Sequence, residues 1–439
     1  MKLLEFARES AFWIIDSLKG KRVKSALEIL HNCEDGVWSE AQVSTYQEEQ
    51  IQKLLSHAKA TVPFYEDQDD TILENWPVVN KNILRSNGNS VLSNKYKKEN
   101  LIAMSTSGST GTPFTCWQDS NKKKHVNAET LYYNGQIGFS IGRRIIYLRS
   151  VVSEVQKSDF RQFAQNIYLL DCNDLSDNAI KEKLKFIVDY SKGCGAMVMG
   201  YASTLTAFQK YFDKYGYDDV EGANVYGVVS GSEMLYDATR LSIEKAFNCR
   251  CVSRYANEEN GFLGQDCEEN NTFLMNRADY FVEILKMNSD EAAEVGEVGR
   301  IVVTDLYNYA MPMIRYDTGD VGARVKVIHN GIERYAVGSF GGRIVDSVKD
   351  SKGNLVSPHA ITNLMWKYQN IIQFQFVQKS IGNYKLFLNA NKSQVNENEL
   401  ISDYKKIFGF DSNFDIEYCG DIPILSSGKR RYIVNEGEK

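Results

Sequence analysis

From residue 144 onward, short β-rich runs alternate with segments of helical period, and this alternation constrains the fold more than any other feature. "RIIYLR" (144–149), "VYGVVS" (225–230), "YFVEIL" (280–285) and "RIVVTD" (300–305) are rich in β-branched and aromatic residues and read as strands. Between them, residues 203–216 space Leu205, Phe208, Phe212 and Tyr215 along one helical face and stop at Gly216. Residues 237–247 form a second helix, with Asp237 expected as its cap. Strand–helix alternation of this kind implies an α/β core. At 439 residues and 43% hydrophobic content, the chain can bury a large core and divide into two domains or more.

The texture changes after "GSFGGR" (338–343). A turn at "KDSKGN" precedes an expected helix near 358–368, strands near 372–378 and 384–390, a helix near 396–408 and a last strand near 414–419. This is a small α+β unit of about a hundred residues. The expected organisation is a large N-terminal α/β domain, residues 1–342, and a C-terminal α+β unit, residues 343–439, joined at Gly338, Gly341 and Gly342. Upstream, residues 48–62 place Ile51, Leu54, Leu55 and Ala58 on one helical face that ends before Pro63. The first helix carries Leu3, Leu4, Ala7, Ala11, Ile14, Ile15 and Leu18, and Lys19, Lys21, Arg22 and Lys24 follow it. Such a helix is expected to dock on the body of the protein, with weak peripheral contact to an anionic membrane as the alternative.

A net charge of −6 argues against a nucleic-acid partner. No run approaches the ~18–20 apolar residues of a membrane span. The eight cysteines show no regular framework, and in a chain without a secretory leader they read as reduced thiols of a cytoplasmic protein. Cys249, Cys251 and Cys267 are three sulfurs close in sequence, but their spacing contains no CxxC pair, so buried thiols are favoured over a zinc site.

Five segments carry residues suited to chemistry. "MSTSGSTGTPF" (104–114) crowds hydroxyls around Gly108 and Gly111. Side chains that stay small let backbone N–H groups close on an anion, so this is either a phosphate loop or a flexible linker. It is not a Walker A loop, because Thr112 stands where that motif has lysine. "SRYANEENG" (253–261) places Tyr255 four residues before Glu259; "MPMIRYDTGDVG" (311–322) puts Asp320 after a Thr-Gly turn. "GGRIVD" (341–346) holds Arg343, and "LSSGKRRYIV" (425–434) presents Lys429 after a glycine. Each alone is an ordinary solvated charge.

Together and in this order they resemble the adenylate-forming enzymes, the superfamily of acyl-CoA synthetases, luciferase and peptide-synthetase adenylation domains. The resemblance covers nearly the whole chain. "LLSHAKATVPFY", "WPVVNK", "GYASTL", "SGSEML" and "GEVGRIVVTDLYNYAMPMIRYDTGD" are similar to the phenylacetate–CoA ligase-like branch, which includes adenylate-forming proteins of capsular-polysaccharide biosynthesis. The resemblance implies a mobile C-terminal lid and the joining of a small-molecule carboxylate to the α-phosphate of ATP, with release of pyrophosphate. Thr106, Ser107, Gly108, Ser109, Thr110, Gly111 and Thr112 would then hold phosphates, and Glu259 would hold Mg²⁺, a hard cation suited to a carboxylate oxygen. Tyr255 would lie by the adenine and carboxylate pocket, Asp320 would accept both ribose hydroxyls, Arg343 would contact ribose or phosphate, and Lys429 would reach the forming acyl phosphate. CoA is one acceptor the resemblance allows; an amine or hydroxyl on a sugar precursor is another.

The chain departs from the family pattern at Ala256 for glycine, at Glu258 for threonine, at Asp317 for a basic residue, and at Val345 before Asp346 for a pair of aspartates. These departures keep open an alternative of another class, a non-catalytic nucleotide-binding protein with the same fold.

Overall fold

A computed structural model describes the chain except residues 1, 69–70, 107–113, 150–157, 173–174, 176, 233, 268–271, 344–347, 354, 357–360, 362–363, 366, 369, 421, 423–432 and 437–439. It divides into two compact units: Met1–Asp317 with Ala323–Gly338, and Thr318–Gly322 with Ser339–Lys439.

The first unit begins with helices α1 (Lys2–Leu18), α2 (Arg22–Glu34), α3 (Glu40–Thr61) and α4 (Lys81–Ser86). Ser39 and Gln42 form a reciprocal capping box at the start of α3, which ends ahead of Pro63. Helix α1 docks only in part. Phe12 and Trp13 pack against a core that includes Ala26 and Leu30, and Arg8 donates to the carbonyls of Phe163 and Ala164. Leu3, Leu4, Phe6, Ile14, Ile15 and Leu18 are exposed, so most of the apolar face the sequence assigns to docking is turned to solvent.

A two-stranded sheet follows, β1 (Ile102–Thr106) and β2 (Phe114–Gln118), flanking the glycine-rich segment. Helix α5 (Ser120–Gly135), capped by Asp119, leads into an 11-stranded sheet. Its strands are β3 (Arg144–Arg149), β4 (Ile167–Asp171), β5 (Ala196–Tyr201), β6 (Val225–Gly231), β7 (Cys251–Asn257), β8 (Gly261–Asp266), β9 (Phe273–Met275), β10 (Tyr280–Leu285), β11 (Val298–Asp305), β12 (Tyr316–His329) and β13 (Ile332–Arg343). Strand order is β10-β11-β12-β13-β9-β8-β7-β6-β5-β3-β4. Strands β3 to β7 pair in parallel and are crossed over by helices α6 (Asp159–Gln165), α7 (Asp177–Ser191), α8 (Ala202–Tyr215) and α9 (Asp237–Phe247). From β7 onward the pairing turns antiparallel.

Alternation along the parallel strands sends two faces to two cores. Ile146, Leu148, Val198, Val228 and Cys251 pack under α7, α8 and α9 with Leu184, Leu205, Phe208 and Ile243. Ile145, Met197, Val229 and Val252 face the other way, with Ile137. Asp237 is the first residue of α9 rather than its cap. Tyr236 occupies the cap position with no side-chain bond, and Asp237 complements the helix dipole from within the first turn.

In the second unit, β14 (Val348–Lys349) pairs with β15 (Leu355–Val356). A four-stranded sheet runs in the order β18-β17-β16-β19, from β16 (Ile371–Ser380), β17 (Asn383–Ala390), β18 (Asn413–Tyr418) and β19 (Ile433–Asn435). The short β19, parallel to β16, was not expected from the sequence. The helix Glu397–Phe408 lays Leu400, Tyr404 and Phe408 on this sheet, where the Phe376 ring stacks 4.9 Å from Phe408.

Candidate active site

Strand β7 ends in a three-residue turn, Glu258–Asn260, before β8. The two adjacent carboxylates of this turn part company: Glu258 is exposed, whereas Glu259 is 1% exposed. A buried carboxylate requires partners, and Glu259 has them from distant parts of the chain. Its Oε1 is paired with the ammonium of Lys81, on the first turn of α4, and accepts a hydrogen bond from the Tyr316 hydroxyl at 3.2 Å. Asn80 holds that helix end by accepting from the N–H groups of Asn82 and Ile83, both at 3.0 Å. The backbone carbonyl of Glu259 accepts from Gln118 Nε2 at 3.1 Å and from the Cys116 thiol at 3.6 Å, both on β2.

Beneath the turn lies a buried ionic network. Lys122 on α5 is fully buried; its ammonium is 2.9 Å from Asp305 and 3.8 Å from Glu129, and it donates to the Tyr280 hydroxyl at 2.8 Å. The Tyr280 hydroxyl is 2.8 Å from both Glu129 and the Asn260 carbonyl, and Glu129 accepts from the Phe262 N–H at 2.9 Å. His125 pairs with Asp279 at 2.6 Å and stacks on Tyr307 at 3.5 Å. Burial carries the Glu129 carboxyl well above the usual range; for Lys122 burial works downward, and the nearby Asp305 and Glu129 outweigh it and raise the ammonium. These groups grip the backbone immediately after Glu259. Gly261 sits there at φ +123°, and an added Cβ would approach within 2.7 Å of Glu129 and 3.0 Å of the Tyr280 hydroxyl, so only glycine fits.

The other expected site residues are distributed as follows. Tyr255 is buried on β7, with its ring edge-on to Phe273 at 6.1 Å. Asp320 is half-buried on β12, belongs to the second compact unit, and its N–H donates to the Thr318 hydroxyl at 3.1 Å. Asp317 is paired with Arg300 at 2.9 Å, which gives this departure a structural partner. Ala256 is exposed and opposite Phe262, next to a register shift in the β7–β8 ladder. Thr106 ends β1 and Arg343 ends β13; their side chains, together with Ser107, Gly108, Ser109, Thr110, Gly111, Thr112, Val345 and Lys429, lie outside the described residues. Cys249, Cys251 and Cys267 are free thiols, and burial pushes Cys249 up to about 12. Lys81, Tyr316 and Gln118 were not singled out from the sequence. Lys81 stands in "WPVVNK", behind an Asn cap, but its partner is 178 positions away along the chain.

Glu259 suits a hard cation. Its Oε2 has no partner among the described residues, and a buried carboxylate oxygen is a donor Mg²⁺ accepts. Among the described residues no cluster of three or more His, Cys, Asp or Glu could hold a metal. No helix among the described residues is long and apolar enough to cross a membrane.

The architecture is that of the adenylate-forming CoA ligases. A 2-hydroxyisobutyryl-CoA ligase in its postadenylation state, in complex with R3-HIB-AMP, superposes with a TM-score of 0.69 over 91% of this chain and 90% of that one at 13% identity. ATP-bound MatB from Rhodopseudomonas palustris matches with a TM-score of 0.52 over 77% of this chain and 68% of that one at 14% identity. The anthranilate CoA ligase AuaEII with anthranoyl-AMP matches at 0.51 over 77% and 67%, at 13% identity. Residues 348–436 match the CapK C-terminal domain. The protein CapK of Staphylococcus aureus is 25% identical over 372 residues, covering 82% of this chain and 79% of its own. The chain is thus similar to CapK over most of its length, and its fold is similar to that of solved adenylate-forming CoA ligases.

Proposed function

We propose that the protein activates a carboxylic acid as its acyl-adenylate, using ATP and releasing pyrophosphate, and then passes the acyl group to CoA or to an amine or hydroxyl acceptor in surface-polysaccharide synthesis. One observation carries this reading: the chain clamps a single buried carboxylate, Glu259, at the end of β7, by side chain and backbone together. Joining an anionic carboxylate to a phosphate needs charge neutralisation and alignment more than proton transfer. Mg²⁺, when bound, supplies that neutralisation at the phosphates. Glu259 would hold it, with Lys81 keeping Glu259 Oε1 paired. Residues 106–112 would wrap the phosphates, Tyr255 would lie beside the adenine and carboxylate pocket, and Asp320 would accept the ribose hydroxyls. Arg343 would contact ribose or phosphate where a C-terminal lid, residues 343–439, begins, and Lys429 on that lid would approach the forming acyl phosphate.

Pyrophosphate release from ATP–Mg²⁺ across a panel of carboxylic and amino acids tests the reading, with ATP binding measured by calorimetry on the same protein. Release with at least one acid is expected. ATP binding with no release from any acid selects the alternative, a nucleotide-binding protein without catalysis. The exposed apolar face of α1, beside Lys19, Lys21, Arg22 and Lys24, is proposed to touch anionic membrane weakly. Co-sedimentation with phosphatidylglycerol vesicles but not phosphatidylcholine vesicles is the expected result.

A further inference from the structure

In the first compact unit, carboxylates accompany the buried arginines Arg315 and Arg334 and the partly buried Arg240 and Arg300, which hold Glu283, Glu34, Asp266 and Asp317, whereas the partly buried Arg143 and Arg144 bond carbonyls instead. Arg149 and Arg254 do not follow this pattern. Both are partly buried, and among the described residues neither forms an ion pair and the sealed Nε of each, like those of Arg240 and Arg334, has no hydrogen-bond partner. Arg254 donates to the side-chain carbonyl of Asn134 and lies 4.2 Å over the Phe262 ring; Arg149 lies 5.3 Å over the Tyr147 ring. Burial pushes the Arg254 guanidinium down to about 10, with Tyr147 as the partial counterweight.

The sheet places these two cations together. Tyr147 pairs with Met199, Tyr201 with Gly231, and Ser230 with Ser253. Continuing that parallel register, Asp171, Arg149, Tyr201, Gly231 and Arg254 form one row across β4, β3, β5, β6 and β7, with Asp171 at its outer end beside Arg149. Two-residue alternation puts Arg149 on the face of Ile145, and Arg254 on the face of Val252, which is the same face. The row lies at the carboxyl ends of the parallel strands, where open α/β sheets bind ligands. The two arginine Cα positions are three strand spacings apart, roughly 14 Å, a gap two extended arginine side chains can close on one small anion. A Cβ added at Gly231, between Tyr201 and Arg254, would meet no atom of a described residue within 4 Å. Three residues after Arg254, β7 ends at the turn that carries Glu259.

We infer that Arg149 and Arg254 form a second anion subsite, and that the acid this protein activates carries a further negative group, a carboxylate or phosphate, besides the carboxylate that is adenylated. Guanidinium forks match both oxyanions in a bidentate geometry. The pair would orient the acid by its far end, leaving the near carboxylate at the Glu259 turn. This rests on the adenylation reading for the word "activates", but the subsite itself can be tested apart from it.

The full-length protein is assayed for pyrophosphate release with matched pairs: butyrate and succinate, pentanoate and glutarate, hexanoate and adipate, and 3-hydroxypropionate with its phosphate ester. Binding of the same acids is followed without ATP by thermal shift. A site that hydrogen-bonds a polar group rejects the analogue lacking it, so a preference of about 100-fold in kcat/KM for one dianion over its monoanionic partner is expected. Arg254→Met and Arg149→Met should each bring that ratio towards one, mainly through KM, and abolish the thermal shift by the dianion. Arg254→Lys, which keeps charge but loses the fork, should retain part of both. No release from any acid, with a dianion shift lost in Arg254→Met, would overturn the adenylation reading and uphold the subsite. Preference for monoanionic acids in the parent protein overturns the subsite and leaves adenylation standing. So does an Arg254→Met variant whose only change is a raised KM for ATP.

Discussion

Two clusters of buried charge adjoin strand β7 and its turn, and they are built oppositely. Around Lys122 every charge has its counterpart: Lys122 with Asp305, His125 with Asp279, and Glu129 held by Tyr280 and the Phe262 N–H. At Arg149 and Arg254 neither cation forms an ion pair among the described residues, although Asp171 stands beside Arg149 in the β3–β4 register. Desolvating a charge costs several kcal/mol unless a partner compensates it. The first cluster is complete without ligand, and its product is a fixed backbone at Glu259. The second is complete only with an anion from outside. The difference suggests a rule for this fold unit: mutations in the paired cluster should be read in stability, and mutations among charges reserved for ligands should be read in binding and rate.

The largest effect should come from breaking the paired cluster. Lys122→Met leaves Asp305 buried opposite no cation and removes the donor to Tyr280, at an expected cost of about 3–5 kcal/mol. Urea unfolding of the variant measures it. A loss below about 1 kcal/mol would mean that the network tolerates an unpaired charge, and the contrast between the clusters would disappear.

Lys429→Ala should come next in size and differ in kind. A cation about 4 Å from developing negative charge is worth roughly 4 kcal/mol at an effective dielectric near 20. Single-turnover adenylation should therefore slow by ~10²–10³, with ATP affinity and urea midpoint close to the parent. Arg430→Ala and Arg431→Ala serve as controls. Equal damage in all three variants would remove Lys429 from the catalytic role and reduce the segment to general positive charge. Asp320→Ala should again act on function rather than on stability. Loss of two charge-assisted bonds of roughly 1.5–3 kcal/mol each weakens ATP binding by at least about tenfold. Calorimetry showing parental affinity in a folded variant would sink the ribose assignment.

The sequence made one side of this contrast legible. Strands such as Arg144–Arg149 and Tyr280–Leu285 follow from local runs of β-branched and aromatic residues, and helix Asp237–Phe247 from the apolar face it buries. Glu259 and Asp320 could be named because their motifs are contiguous in the chain. The pairing was not legible: Lys81 reaches Glu259, Gln118 reaches the same turn, and Lys122 meets Tyr280 and Asp305 only after β2, α4 and α5 are assembled against β7, β10 and β11. A trace of signal existed for the second cluster. Arg149 and Arg254 are charged residues inside strands of a largely buried parallel sheet, where charge is rare unless it has a purpose. Helix α1 shows the reverse: its apolar face reads as a docking face, yet Leu3, Leu4 and Leu18 on it are exposed.

The smallest predicted change is the one that most sharpens the comparison. Arg254→Met deletes a cation that has no ionic partner among the described residues and replaces it with an apolar chain of similar length on the Phe262 ring. Removing a paired charge leaves its partner stranded, but here no carboxylate is left behind. The lost bond to Asn134 and the lost contact with Phe262 together cost about 1–2 kcal/mol, and relief of the desolvated guanidinium offsets this in the opposite direction. The expected net change in unfolding free energy is within about 1 kcal/mol of zero, on either side. Urea unfolding of Lys122→Met and Arg254→Met in parallel, each with and without a saturating dianionic acid, separates the two designs. Dianion should stabilise the parent and not Arg254→Met, while Lys122→Met should remain weak in both conditions. If Arg254→Met instead unfolds as readily as Lys122→Met without ligand, the guanidinium has a structural partner that its surroundings here do not reveal, and the two clusters are variants of one design.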